Sequence, residues 1–439
     1  MKKIIAFIFL LSAISLFSQT TQNGDIVDEI NSIISTLPSA GGLEYSAPTS
    51  SQITDWESML TDLFAANYNN ANTKAIALGY DLIAFTDTST TTLHYLLKTT
   101  SGGGNYWGTY VYNPAACRSE LVIMSPHSKK DLNTGKEGIY CYKTTDAFFF
   151  MLNGTNRCNQ TSSSTCSGTT TVCSGGTAEA YRISDMAHVT NSIWQTTTQY
   201  LYDNFPDTYF AQLHGFTKKI TDPYLIMSNG TRITPAPDKI VLLKNNLLLE
   251  DNTLTFKIAH IDLSWNRLIG FTNTNGRYIN SSTDPCLNNA TATSGRFLHI
   301  EQEKTKLRQD STGWHKMASA LANTFNANAC SSVAPLPIEL SHFSATIKNE
   351  QVLIFWQTLS ELNNDFFLLE KSSNGIDFFE INRQQGMGNS NNIANYFYED
   401  SPFEGVNYYR LTQQDFDEGK MHSPIISIFY KNKKDLKTL

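Results

Sequence analysis

Three short stretches of the chain carry the residue types of a hydrolytic site: Ser125-Pro126-His127-Ser128-Lys129-Lys130-Asp131, Gln212-Leu213-His214-Gly215 and Phe297-Leu298-His299-Ile300-Glu301. Each forms or follows an apolar, strand-like run. Imidazoles and carboxylates set out in this way are the ligands of a catalytic zinc site together with its general base. Convergence of the stretches in space implies a metal-dependent hydrolase. Separation leaves only a secreted two-domain chain. The hydrolase reading predicts that nitrogens of His127 and His214 approach within roughly 4 Å, as ligands about 2 Å from a shared ion must.

His127 follows Leu121-Val122-Ile123-Met124, where a strand would emerge from its sheet. A rigid element then holds the imidazole while the next loop supplies a carboxylate. Asp131, four positions on, is the first choice for that ligand. Glu137, at the start of the following helix, is the alternative. His214 ends the run Tyr209-Phe210-Ala211-Gln212-Leu213, and Gly215 lets the backbone turn away from a crowded site. Two histidines and one carboxylate leave a coordination position for water. The competing reading makes each histidine a structural or surface imidazole.

In the third stretch, alternation sets His299, Glu301 and Glu303 on one strand face. Glu301 ends the apolar run and is the candidate base, able to accept a proton from water and hand it to a leaving amine. The competing reading is a polar face on an edge strand. Ser184-Asp185-Met186-Ala187-His188 either lines the same cleft or caps a helix through Ser184 or Asp185. Asn275-Gly276-Arg277 is either a second anion contact or a surface turn. The chain has no Gly-x-Ser-x-Gly elbow, His-Glu-x-x-His helix, Gly-x-x-x-x-Gly-Lys loop or Gly-x-Gly-x-x-Gly fingerprint, which disfavours serine hydrolases, common zincins and nucleotide enzymes.

The elements that must position these residues are legible as periodicities. Ile26, Ile30, Ile33, Ile34 and Leu37 recur at helical spacing, as do Trp56, Leu60, Leu63 and Phe64. Extended runs follow at 82–86, 92–99, 106–112 and 120–124, with turns at 101–104 and Asn113-Pro114. Helices are then expected over 135–145, 185–204 and 314–325. Strands are expected over 147–152, 208–213, 239–243, 254–261 and 296–301. This alternation predicts an α/β domain over residues 20–330, with a mixed, mostly parallel sheet flanked by helices and ligands beyond the carboxyl ends of its strands. Residues 331–337 read as a Pro-containing linker. Short alternating strands at 352–356, 366–370, 378–381, 396–398, 408–411 and 425–430, with turns at Asn374-Gly375 and Glu418-Gly419, predict a small all-β sandwich over 338–431 and a Lys-rich tail over 432–439.

Composition bounds the functional classes. Residues 1–19 have a positive head, an apolar run of about fifteen residues and a polar exit, the pattern of a cleaved export signal. No later stretch reaches the roughly 18–20 apolar residues of a spanning helix. A formal net charge of -7 and no long basic run argue against nucleic acid as a partner. Seven cysteines, at 117, 141, 158, 166, 173, 286 and 330, leave at least one unpaired within the chain. The Ser/Thr/Gly-rich loop 159–176 cannot order itself by apolar burial and calls for a disulfide pin; a zinc knuckle would need paired Cys-x-x-Cys spacing.

The order His127, carboxylate, Asn156-Arg157, His214 and Glu301 resembles the zinc carboxypeptidase superfamily, and within it the branch containing phage-type poly-γ-glutamate hydrolases, over roughly residues 75–327. The resemblance implies a carboxypeptidase-like fold, a zinc cofactor and a substrate carboxylate clamped by Asn156 and Arg157, a guanidinium fork being suited to that anion. It departs from the family where His-x-x-Glu is replaced by His127-x-x-x-Asp131. The implied substrate is a peptide or amide bearing a carboxylate, cut at a C-terminal, γ-glutamyl or cell-wall peptide bond. An acylamino-acid deacylase would use the same site, and a non-catalytic surface-binding or adhesion protein is the rival class.

Toward the C-terminus, Leu336-Pro337-Ile338-Glu339-Leu340, Leu359-Ser360-Glu361-Leu362-Asn363-Asn364-Asp365-Phe366, Glu370-Lys371-Ser372-Ser373-Asn374-Gly375 and Tyr408-Tyr409-Arg410-Leu411 resemble the fibronectin-like module of secreted Bacteroidetes proteins. In that family a domain recognised by type IX secretion normally follows. The resemblance implies secretion or cell-surface association, and the sequence runs to Leu439 without that further domain.

Overall fold

Apolar residues at helical spacing, each run opened by a capping side chain, set the first elements of the fold. The structure is a computed structural model that describes residues 20–100, 104–325, 327, 340–358, 361–390, 393–416, 420–423 and 425–431. The signal at 1–19, the turn at 101–104 except Gly104, Cys330, the linker 331–337, Glu418-Gly419 and the tail 432–439 lie outside the described residues. The chain divides into two units, Met1–Ser331 and Ser332–Leu439.

In the first unit, strand β1 (Thr20–Gly24) leads to α1 (Ile26–Thr36), whose first N–H groups donate to the Asp25 carboxylate while Ile26, Ile30 and Ile34 face inward. Helix α2 (Ser50–Phe64) opens with a reciprocal capping box between Thr49 and Gln52 and buries Trp56, Met59, Leu60 and Leu63. Next come α3 (Tyr68–Ala77), β2 (Tyr80–Asp87), β3 (Leu93–Thr99), β4 (Thr109–Tyr112), β5 (Arg118–Ser125), α4 (Thr134–Thr145) and β6 (Ala147–Leu152). A two-residue ladder of β7 (Thr169–Thr170) with β8 (Glu179–Ala180) sits in the following loop. The unit continues with α5 (Ile193–Asn204), β9 (Tyr209–Gly215), β10 (Leu225–Ser228), α6 (Lys239–Glu250), β11 (Phe256–Ile258), α7 (Thr274–Ile279), β12 (Phe297–Gln302), a π-turn over Lys304–Arg308 and α8 (Ser311–Thr324).

Ten strands form one mixed sheet in the order β1-β2-β3-β4-β6-β5-β9-β12-β10-β11. Its centre, β6-β5-β9-β12, is parallel, and the strands on either side of that centre, β4 and β10, run antiparallel to it. Side chains alternate between two cores. Ala211, Leu213, Leu298 and Ile300 join one, with residues of α1, α4, α6 and α8. Phe210 and Phe297 join the other, with residues of α2, α3 and α5. Each fully buried Phe or Leu contributes roughly 1.5–3 kcal/mol, so these faces fix the register. On the second face the next inward positions are Gln212 and His214 on β9 and His299 and Glu301 on β12. The apolar layer therefore gives way to polar groups at the carboxyl ends of the parallel strands.

Several sequence expectations are corrected. Residues 239–243 begin helix α6: Asp238 caps it, and Ile240, Leu243 and Leu247 are buried at helical spacing, so a short apolar run had two readings. The helix expected over 185–204 starts only at Ile193, capped by Ser192, so neither Ser184 nor Asp185 is a helix cap. The strand expected over 254–261 shrinks to Phe256–Ile258, and β10 and α3 had no expectation. β12 is an interior strand, between β9 and β10, which removes the edge-strand reading of Glu301.

Disulfides Cys158–Cys173 and Cys166–Cys286 pin the polar loop, the first closing a 15-residue separation worth roughly 3 kcal/mol in loop entropy. Cys117 is also disulfide-bonded, and Cys141 is buried as a free thiol.

The second unit is antiparallel throughout. Its strands are β13 (Leu340–Lys348), β14 (Gln351–Thr358), β15 (Glu361–Ser372), β16 (Phe379–Ser390), β17 (Ala394–Asp400), β18 (Gly405–Asp415), β19 (Lys420–His422) and β20 (Ile426–Tyr430). One sheet is β13-β14-β17; the other is β16-β15-β18, with β19 and β20 both pairing to β18. The two share a core of Val352, Ile354, Trp356, Phe367, Leu369, Tyr409 and Leu411.

Candidate metal centre

The loop after β5 folds back so that the N–H groups of Lys130 and Asp131 donate to the carbonyl of His127, at 2.9 and 2.8 Å. This turn carries the Asp131 carboxylate to the imidazole it follows, with Oδ2 3.2 Å from His127 Nδ1. At the end of β9 the Gly215 N–H donates to the same oxygen at 3.2 Å, so two strand ends share one carboxylate. Gly215 is required by a close approach: a Cβ there would lie 2.2 Å from Cζ of Arg308. Arg308 donates to the carbonyls of Gln302, Leu132 and Phe216 and so ties the ends of three elements around the site.

Three ligand atoms converge. His127 Nδ1 lies 3.1 Å from His214 Nδ1, and Asp131 Oδ2 lies 3.2 Å from the first and 3.7 Å from the second. Atoms bound about 2.0–2.2 Å from one tetrahedral ion stand roughly 3.3–3.6 Å apart, so the triangle is close to that of a zinc-sized ion. The chemistry fits too. His127 Nε2 lies 2.8 Å from Asp185 Oδ1, and a carboxylate only accepts, so Nε2 carries a proton; Nδ1, which faces Asp131 Oδ2, is the nitrogen left to an ion, which would displace any proton held there. His127 and His214 are 1 % and 2 % exposed, which shields the pair from bulk water.

Asp185 organises the neighbouring groups. Its Oδ1 accepts from His127 and, at 3.0 Å, from His188 Nδ1, while Oδ2 accepts from Arg157 Nε at 2.9 Å and from Arg157 Nη2. Burial works against its charge, but Arg157, then His188 and His127, hold the carboxyl well below the usual range. Against burial, His127 likewise holds Asp131 in its charged form. The His127 imidazole is itself pushed up: Asp185 and Asp131 outweigh burial and the Arg157 charge. Burial lowers His214 to about 4.

Glu301 lies in register with His214 across the β12–β9 ladder, and His299 with Gln212. Burial, then the charge of Asp131, raises Glu301 to about 8, and its Oε2 is buried without a partner. His299 completes a second convergence, His214–His299–Glu301, and His127, Asp185 and His188 form another. Burial, then His214, holds the His299 imidazole well below its ordinary value.

The structure thus gathers His127, Asp131, His214, Glu301 and Arg157, and sets other candidates elsewhere. Glu137 belongs to none of these convergences; its carboxyl lies on the opposite sheet face, where Gln302 Nε2 donates to it at 2.9 Å. The Asn156 side chain accepts from the Cys158 N–H at 2.9 Å and so shapes its own turn. Arg157 Nη1 lies 3.2 Å from His127 Nδ1, and its other nitrogens are taken by Asp185. Arg277 is a clip for the loops, donating to Phe271 and Cys286 carbonyls, Ser167 and Asn289, so it is neither a surface turn nor an anion contact. Glu303 turns away to cap the π-turn through Lys306 N–H. The Ser184–His188 segment lines the same cleft, the first of its two sequence readings, through Asp185 and His188; that Asp185 would orient His127 and Arg157 has no signal in the sequence beyond that segment.

No family model and no curated relative matches the chain. Among solved structures, a β-1,2-glucanase from Parabacteroides distasonis is similar over 23% of this chain, at 16% identity and a TM-score of 0.16; the chain spans 15% of that protein's length. Wild-type OgpA from Akkermansia muciniphila is similar over 72% of this chain and 93% of its own, at 8% identity and a TM-score of 0.19. The catalytically inactive OgpA in complex with an O-glycopeptide substrate gives 7% identity and a TM-score of 0.17, over 72% and 94%. Likenesses this faint assign neither fold nor reaction.

Proposed function

We propose that the chain is an exported zinc-dependent hydrolase that cleaves an amide bond next to a carboxylate, of carboxypeptidase, γ-glutamyl or cell-wall peptide type. The observation that carries this reading is the triangle of His127 Nδ1, His214 Nδ1 and Asp131 Oδ2, with edges of 3.1, 3.2 and 3.7 Å in a buried site. His127, Asp131 and His214 would hold the ion, and Asp185 keeps a His127 proton on Nε2. When bound, the ion supplies Lewis-acid polarisation and lowers the pKa of a water toward neutrality. Glu301, raised to about 8 by burial, would be returned toward its charged form by a neighbouring cation and would then accept a proton of the attacking water at its unpartnered Oε2 and return it to the leaving amine. Arg157, whose Nε and Nη2 are held by Asp185, leaves only Nη1 on the side of the site as a donor for a substrate carboxylate. The parallel strand ends that carry these residues support a carboxypeptidase-like arrangement, and the two sheets of the second unit support a fibronectin-like sandwich. Cys158–Cys173 and Cys166–Cys286 support an oxidising, extracytoplasmic location. Among the described residues, no helix is long and apolar enough to cross a membrane.

An activity screen on the purified full chain tests the proposal, using carboxypeptidase, γ-glutamyl and muropeptide substrates with and without a chelator. Turnover that the chelator abolishes and zinc restores is the expected result. Silence on every substrate, from a chain that also binds no ion, favours the surface-binding reading instead.

A further inference from the structure

His214 can offer Nδ1 to an ion only while its proton sits on Nε2, and two groups that can only donate impose that choice from outside the site. The first is the Trp194 indole, whose Nε1–H donates to Asn275 Oδ1 at 3.1 Å. Asn275 Oδ1 is therefore an acceptor, and its Nδ2 donates in the other direction to Gln195 Oε1 at 2.7 Å. Gln212 Nε2 then donates to Asn275 Oδ1 at 3.0 Å, which turns Gln212 Oε1 toward His214. The second is the Gly276 N–H, which donates to Asn273 Oδ1 at 3.1 Å and sends Asn273 Nδ2 to Gln212 Oε1. One lone pair of Gln212 Oε1 is thereby used. The other faces His214 Nε2 at 2.8 Å, and a carbonyl oxygen can only accept, so Nε2 carries the proton.

We propose that Gln212, oriented by Asn273 and Asn275, is a positioning residue that commits His214 to the Nε2–H tautomer and keeps Nδ1 open as a ligand. The consequence for metal binding rests on the zinc reading above; the tautomer does not. Trp194, Gln212 and Asn275 are wholly buried and Asn273 is 1 % exposed, so no bulk water can replace a broken link. A flipped Gln212 amide would oppose donor to donor at Asn273 and acceptor to acceptor at Asn275. In the other tautomer of His214, Nδ1–H would point at His127 Nδ1, 3.1 Å away, and fill the space between the ligands. Gln212 and His214 share a strand face two residues apart, while α5 and α7 supply the rest, which gives amide side chains a reason to line a face that begins with Phe210 and Phe297.

The test is long-range nitrogen–proton NMR on the metal-free full chain, labelled at histidine, with the His214 signals assigned by their loss in His214→Ala. Wild type should show a protonated Nε2 and a bare Nδ1. Gln212→Met, which removes the acceptor, should mix the tautomers and weaken zinc binding about 10–100-fold, while Gln212→Glu, which as the neutral acid keeps an acceptor toward His214 and a donor toward Asn275 Oδ1, should restore Nε2–H and most of the affinity. A protonated Nδ1 in wild type overturns the proposal even if Gln212→Met does not fold. So do a His214 tautomer and a zinc affinity that are both unchanged in Gln212→Met. A wild type that binds no ion but shows Nε2–H overturns the zinc reading and leaves the positioning of His214 standing.

Discussion

Replacing Asp185 by asparagine removes the one negative charge on which His127, His188 and Arg157 converge. The amide can still accept from His127 and His188 through Oδ1, where the present distances are 2.8 and 3.0 Å, but it presents an N–H to Arg157 Nε and Nη2. Arg157 is 8 % exposed, so its guanidinium loses its ion-pair partner in a dry site. Removing one member of a buried pair costs about 3–5 kcal/mol, which should appear as a lower urea midpoint for the first unit. The weaker acceptor behind His127 should also reduce zinc affinity about 10–100-fold, or roughly 1.4–2.8 kcal/mol. These effects separate in Asp185→Asn combined with Arg157→Met, which no longer buries an unpaired charge: stability should largely recover and zinc affinity should not. The sign with pH follows from the depressed Asp185 carboxyl. Its contribution is present above the ordinary carboxylate range near pH ~4 and is lost as pH falls through the lower folded value, so Asp185→Asn should flatten the acid limb. A single variant within about 1 kcal/mol of wild type in urea, with unchanged zinc competition against a chromophoric chelator, would refute the reasoning.

Two further substitutions give sharp outcomes. Glu301→Gln should keep the ion and lower turnover about 10²–10⁴-fold; an active variant that still binds zinc assigns the base elsewhere. Glu137→Gln tests a buried carboxyl remote from the ligands: burial raises Glu137 from 4.5 to about 8, and its Oε1 has no partner. A raised acid favours the fold below pH 4.5, and that advantage is lost as pH rises through about 8, by as much as about 5 kcal/mol. Glu137→Gln should therefore lose less stability than wild type between pH 5 and 9, and parallel profiles from chemical denaturation would contradict this.

The positions of His127, His214 and Glu301 were legible because each ends an apolar run, and a parallel strand delivers its last inward residue to the rim of the sheet. Asp131 against Glu137 was open in the sequence, since spacing alone does not say which way a loop folds; the return bonds of Lys130 and Asp131 to the His127 carbonyl bring the Asp131 carboxylate, and not that of Glu137, beside the two histidines. The Ser184–His188 segment and Gln212 were visible as parts of the cleft, but the orienting roles of Asp185 and of the Gln212–Asn273–Asn275 set were not legible. Gln212 lies on β9 beside His214, whereas Asp185, Asn273 and Asn275 come from a loop and a short helix without periodicity, brought together by chain paths that the disulfides and Arg277 hold. Residues 239–243 misled for the opposite reason, an apolar run too short to distinguish strand from helix until Asp238 is seen to cap it.

The most direct measurement is the ion content and X-ray absorption spectrum of the purified full chain beside its His127→Ala, His214→Ala double variant. About one zinc per chain, bound by two imidazoles with oxygen completing the sphere and lost in the double variant, is the predicted result. A wild type free of zinc after incubation with the ion, or a double variant that binds it as well, would contradict the account.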